Sequence, residues 1–220
     1  MCKFQLQLFF CLFWFAATGI ARAQDKIPLK IELPMPLVSA NGPTFIASPN
    51  LEPPLVSPPG LLVPLGTTNL ALYKPVVASS TAAVGNLSMV TDGHKSGYEG
   101  EWVELEAGKQ WVQIDLEQKS EIYAIQVWHF HFKTRIYADV LVAVSDDPEF
   151  QKEVKVVFNN DRGNLFGFGK GSDLDYSDTN YGKLIDAKGV KGRYVRLCSN
   201  GNNENNLNHY VEVEVFGKIE

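Results

Sequence analysis

The chain has 220 residues, of which 45% are hydrophobic and 20% charged, and a formal net charge of −5. An acidic chain is a poor partner for nucleic acid, because such binding depends mainly on neutralising phosphates. Its carboxylates suit calcium, which takes oxygen ligands, and its three cysteines are too few for a disulfide-stapled scaffold.

Residues 1–23 read "MCKFQLQLFFCLFWFAATGIARA". Lys3 supplies a positive start, an apolar run follows, and Ala21-Arg22-Ala23 places small residues where a signal peptidase reads. This predicts a secretory signal peptide cut after Ala23, and an exported or periplasmic mature chain. Cleavage removes Lys3 and Arg22 but no acids, which takes the net charge from −5 to −7. Cys2 and Cys11 leave with it, so Cys198 has no partner for an internal disulfide. No later segment is apolar enough to span a bilayer.

Residues 24–68 hold ten of the twelve prolines, in runs such as "LPMPLV" and "EPPLVSPPG". No helical or strand period survives that density, so the segment is expected as an extended Pro-rich linker. Its apolar residues are unusual for a linker and suggest that parts of it pack on the domain.

From residue 69 the pattern changes. "WVQIDLEQ" alternates, with Val112, Ile114 and Leu116 on one side and Gln113 and Asp115 on the other. "EIYAIQVWHFHF", "ADVLVAVSDD", "VKVVFNN", "GKLID", "RYVRLCSN" and "YVEVEVFG" are further strand-like runs bounded by Gly, Asn or Asp. "DPEF" at 147–150 is the one candidate helical turn. Many short strands without an amphipathic helix predict an antiparallel sandwich or barrel over residues 69–220.

The order of these segments resembles the discoidin domain, the coagulation factor 5/8 type C domain of the galactose-binding-like superfamily. "NLALYKPVVASS" is similar to that family's opening, "VTDG" to its A-x-D-G turn and "WVQIDL" to its W-x-x-I/V-D-L strand. "VAVSDDPEF", "GRYVRL" and "VEVEVFG" resemble later strands, in the right order. The resemblance implies an eight-stranded antiparallel jelly-roll β-sandwich and a non-catalytic module that binds glycan, protein or lipid head groups. Vertebrate members close the domain with a cystine joining its ends. Neither end carries a cysteine here, so the chain resembles the bacterial carbohydrate-binding branch more closely.

The stretch "QVWHFHFKTRIY", residues 126–137, carries the candidate ligand site. If the strand runs on, Trp128, Phe130 and Phe132 share the core phase, and His129, His131, Lys133 and Arg135 share the other. Two histidines at i and i+2 suit zinc, but no third ligand is near and Lys133 and Arg135 repel a cation. A solvated outer face and a ligand-facing strand end remain. The resemblance favours the second, since glycan-binding members use a His and an Arg from this region. "FNNDRGNLFGFGKGSD" and "SNGNNENNLNHY" are then expected to complete the site through Asn159, Asp161, Arg162 and Asn202.

The resemblance also implies a structural calcium ion held by Asp92 and Glu212, with main-chain oxygens of Met89, His94 and Val211. Two carboxylates brought together repel unless a cation lies between them. The expected function is a secreted, lectin-like module for an extracellular glycan or glycoconjugate. The alternative is a membrane-lipid or protein-binding adhesion module with Leu165, Phe166 and Phe168 as exposed hydrophobics. No G-x-S-x-G, H-E-x-x-H or C-x-x-C occurs, which argues against an enzyme.

Overall fold

The computed structural model describes residues 25–36 and 49–220. The expected signal peptide lies outside the described residues. Among them there is no α-helix, and every strand pair is antiparallel.

Two long strands organise the domain. β6 (Gln110–Trp128) pairs with β11 (Lys183–Ser199) and with β13 (Glu212–Ile219). β11 then pairs with β8 (Leu141–Ser145), which pairs with β9 (Lys155–Asn159), and β3 (Thr68–Asn69) closes the far side on β13. β4 (Val76–Ala78) lies on the first half of β6. Two smaller pairs complete the sandwich: β5 (Val103–Leu105) with β12 (Asn208–Tyr210), and β7 (Arg135–Tyr137) with β10 (Tyr176–Asp178). β6 and β11 each serve as two strands, because register shifts at Asp186/Val190 and Gly192/Tyr194 bend the pair. The result is the all-β jelly-roll sandwich the sequence predicts.

The alternation in "WVQIDL" does what a period of two should: Val112, Ile114 and Leu116 are buried in the main core with Ile125, Val127, Val195, Leu197, Val213 and Val215. No α-helical turn forms at "DPEF". Asp147 folds that corner instead, its carboxylate accepting the main-chain N–H groups of Glu149, Gln151 and Lys152. Among the described residues the one helical element is a 3₁₀ turn at Leu87–Thr91, capped by Asn86 and not expected from the sequence.

The Pro-rich segment differs from expectation, because part of it is regular. β1 (Lys26–Pro28) and β2 (Leu62–Pro64) form a two-stranded sheet. Proline suits such short two-stranded edges because one side of each strand needs no donor. Further contacts tie the segment to the domain. The Lys95 ammonium donates to Glu32 O at 2.9 Å, Asn180 Nδ2 donates to Pro34 O at 3.2 Å, and Lys183 pairs with Glu52. Leu51 bridges Asp175 in parallel. Ala124, Gln126, Trp128, Glu214 and Phe216 point away from the main core yet are buried. The arm and the 178–182 loop cover them: Gln126 Nε2 donates to Tyr181 O at 2.8 Å and Trp128 Nε1 to Asn180 O at 3.0 Å.

Candidate functional site

The strand that carries the candidate ligand residues ends at Trp128. The next main-chain N–H, of His129, is captured by the Asp178 carboxylate, and the chain leaves the sheet. The shared ligand-facing phase expected for His129, His131 and Arg135 therefore does not form, because strand alternation stops where the strand does. His129 turns inward instead and is 1% exposed. Its Nδ1–H donates to His209 O at 2.7 Å, its Nε2 accepts from the Tyr176 hydroxyl at 2.8 Å, and it stacks on Tyr137 at 4.2 Å. Burial lowers its pKa to about 4, so the ring is neutral near pH 7. It is a core residue and offers nothing to a ligand.

This depressed pKa has a stability consequence. His129 contributes stability that is present above the unfolded value of 6.5 and is lost as pH falls toward about 4. A His129→Gln chain lacks that group. The destabilisation it causes should shrink by about 2 kcal/mol between pH 7.5 and pH 5. Urea melts of both chains across that window test this, and a difference independent of pH would place the imidazole in solvent.

His131 is 6% exposed. Its Nε2 bonds Lys95 O at 2.8 Å, and its ring fills the space a Cβ on Gly97 would need. Phe132, expected in the core phase, is 44% exposed. Arg135 keeps a partly exposed position at the start of β7. Its guanidinium lies 4.1 Å over the Phe130 ring, and NH1 donates to His209 Nδ1 at 3.1 Å. His209 Nε2–H in turn donates to Glu104 Oε2 at 3.0 Å. Burial, then the neighbouring guanidinium, lowers the His209 pKa to about 4. Asn203 sits beside this row, its Oδ1 accepting from the main-chain N–H of Ile136. Trp102 packs edge-on to Phe130 at 5.0 Å. One end of the sandwich thus gathers a guanidinium, an imidazole, a carboxylate, an amide and aromatic rings. Of these the sequence reading selected Arg135 and missed Glu104, His209 and Asn203. The "NHY" that follows the asparagine run was the available signal.

The remaining predicted ligand residues are occupied in shaping loops. Asn159 Oδ1 accepts from Asp161 N at 2.9 Å and its Nδ2 donates to Gly169 O at 3.0 Å. Asp161 is fully buried and accepts from Phe166 N at 3.0 Å. Arg162 bonds Asp175 Oδ1 at 2.6 Å and Asp173 O at 2.9 Å. Asn202 Oδ1 accepts from Glu204 N and Asn205 N. Among the described residues, none of the four has a hydrogen bond or ring contact with Arg135. Phe166 and Phe168 pack against Leu141, Phe150 and Cys198, so of the three predicted hydrophobic spikes only Leu165 is exposed, at 38%. Seated aromatics do not make a membrane-inserting tip.

The predicted calcium residues meet where the 3₁₀ turn faces β13. Met89, Asp92 and His94, together with Glu101, line a cavity of about 190 Å3. Glu212 is fully buried: its Oε2 accepts from Gly93 N at 3.1 Å, and its Oε1 has no hydrogen-bond partner. Burial, with Glu214 and Asp92 adding repulsion, raises the Glu212 pKa to about 9. A buried carboxylate with one empty oxygen beside a second carboxylate fits a cation. Among the described residues no group of three or more His, Cys, Asp or Glu side chains forms a metal cluster. A cation here would therefore draw on main-chain oxygens, as calcium readily does.

No family model and no curated protein matches the chain. Solved structures do. A family 89 glycoside hydrolase from Clostridium perfringens, in complex with GlcNAc-alpha-1,4-galactose, aligns with a TM-score of 0.51 at 16% identity over 69% of this chain and 15% of the enzyme. A Streptococcus pneumoniae fucose binding module aligns at 0.47 and 22% identity, over 67% of this chain and 96% of its own. The lectin domain of lectinolysin, complexed with Lewis B antigen, aligns at 0.48 and 18% identity, over 68% and 96%. At such identities the likeness lies in the fold. Among the described residues, no helix is long and apolar enough to cross a membrane.

Proposed function

We propose that this chain, which has the galactose-binding-like jelly-roll fold, is an exported, non-catalytic carbohydrate-binding module with its glycan site at the loop end around Arg135. The observation that carries this is the mounting of Arg135. A partly exposed guanidinium is held between the Phe130 face and the His209–Glu104 pair, with Phe132 exposed close by. Sugar hydroxyls are bound by planar, multi-donor groups fixed in direction, and sugar ring faces by aromatics. The recurrence of this fold inside a glycoside hydrolase supports carbohydrate as the ligand class.

Residues 1–23 would direct export and leave an acidic mature chain. A calcium ion belongs to the same reading. Asp92 and Glu212 would hold it, aided by main-chain oxygens of Met89, His94 and Val211. It would supply two positive charges to a carboxylate pair and tie the 3₁₀ turn to β13.

The test is a glycan array followed by titration of the best binder against wild type, Arg135→Ala and Arg135→Lys. Losing one buried hydrogen-bond partner costs about 1–3 kcal/mol, so alanine should weaken binding roughly ten- to hundredfold. Lysine should rescue little, because it lacks the flat fork that stacks on Phe130. Equal affinities for all three chains would move the site elsewhere.

A further inference from the structure

A second concave surface lies along β4, formed by residues the site around Arg135 does not use. Residues 73–82 and 85–88 line an open groove of about 1000 Å3. β4 pairs with β6 on one side alone. Asp115 N donates to Pro75 O and Ser79 N to Trp111 O, each at 3.0 Å, and Val77 is registered on Gln113. In that antiparallel phase, the N–H and C=O groups of Val76 and Ala78 point away from β6. No hydrogen-bond partner meets them among the described residues. Open strand edges are sites at which another molecule can complete the ladder.

The walls show what kind of molecule fits. Tyr73 is 76% exposed, and its backbone φ is +59°, a conformation that bulky side chains seldom adopt. The turn is locked by Tyr73 N donating to Thr91 O at 2.7 Å and Lys74 N to Ala71 O at 2.9 Å. An aromatic ring is thus held out at the groove mouth against its backbone preference, as strained residues at ligand sites are. The Ser80 hydroxyl is buried and has no partner inside the protein, so only a rotation about χ1 would turn it toward the groove, at no cost in internal hydrogen bonds. The groove's one charged lining residue, Lys74, is neutralised by Glu117. An open groove, an exposed aromatic ring, free main-chain groups along a strand and no uncompensated charge describe a surface for a neutral, linear sugar chain.

We propose that the β4 groove is a second carbohydrate-binding surface, selective for uncharged linear oligosaccharides, with Tyr73 as its stacking platform and Val76, Ala78 and Ser80 as its polar contacts. This rests on the reading of the chain as a carbohydrate-binding module but not on the location of the first site. An added β-strand of peptide is the competing occupant. It is disfavoured because β4 is three residues long and turns only two of them outward, too short an edge for a stable ladder.

The test is amide chemical-shift mapping of the full mature chain. The probes are neutral linear hexasaccharides of glucose, mannose and N-acetylglucosamine, and a Thr-Val repeat hexapeptide as the strand-forming control. The expected result is a saturable shift of the Val76, Ala78 and Ser80 amides with at least one sugar. Affinity should fall about tenfold in Tyr73→Ala, hold in Tyr73→Phe, and be unaffected at these amides by Arg135→Ala. Tyr73 is largely exposed, so both of its variants should fold. Shifts at Phe130 and Asn203 without any at β4 would overturn the groove and leave the first site standing. Shifts at β4 alone would keep the groove and remove the first site. Silence at both would sink both proposals, and β4 shifts caused by the peptide but by no sugar would replace this one with strand addition.

Discussion

Replacing Trp128 by alanine is expected to lower the stability of the chain by about 3–5 kcal/mol, the range for deleting a fully buried indole. Trp128 is 0% exposed at the last position of β6. Its indole N–H donates to Asn180 O, the Lys95 ammonium sits 5.1 Å from its ring centroid, and a Cβ on Gly182 would lie 2.9 Å from its Cδ1. Lys95 and Asn180 also hold the arm, at Glu32 O and Pro34 O. The indole therefore supports both the 178–182 loop and the N-terminal arm. Denaturation in urea should show a lower midpoint, and the melting temperature should fall by roughly 10 °C, at 2–4 °C per kcal/mol for a chain of this size. A loss under about 1 kcal/mol would mean that the loop and arm do not pack on this ring.

Chelation should produce the next largest change. A ligand that binds the folded state alone, at a hundred times its Kd, stabilises by about 2.7 kcal/mol. Removing calcium from wild type should then lower the melting temperature by roughly 5–10 °C. In Glu212→Gln, which keeps an acceptor for Gly93 N–H but not the charge, the chelator should have no effect. Magnesium should not restore the loss, because it demands a tighter octahedron than a site of carbonyls and two carboxylates offers. A wild-type melting curve unchanged by excess chelator would remove the ion from this site.

The parts of the molecule legible in the sequence are those decided by near neighbours along the chain. Val112, Ile114 and Leu116 alternate because one face of that half of β6 meets the core, and the pattern needs no knowledge of the partner strand. The end of β6 is different. Nothing in "VWHFHF" says that the strand stops after Trp128, because the stop is imposed by Asp178, a carboxylate 49 residues further on. The same one-residue decision sends His129 inward and ends the alternation on which the ligand face was predicted. His209 and Glu104 escaped notice because they reach Arg135 and each other across 74 and 105 residues. The arm's docking is equally silent in sequence, since Lys95 and Asn180 grip main-chain carbonyls, which every residue has. Asp92 and Glu212 were proposed by a different route, the resemblance of their two short motifs, and the structure adds the buried, unpartnered Oε1 that no motif encodes.

The arm also determines how the molecule would answer a pull. Among the described residues, its attachments to the domain are spread along the chain: side chains on Glu32 O and Pro34 O, main-chain bonds of Asn50 and Glu52 with Asp175, and the Glu52–Lys183 ion pair. Loaded from the N-terminal side, they meet the force one after another, whereas the long β6–β11 ladder shares a load over many bonds at once. The arm should peel at low force and lengthen toward the extended limit of about 3.3–3.6 Å per residue before the sandwich bears tension. In single-molecule stretching this would appear as a weak, reversible extension ahead of one high-force rupture. The arm would then act as a shock absorber, letting the sandwich stay closed while its N-terminal side is pulled.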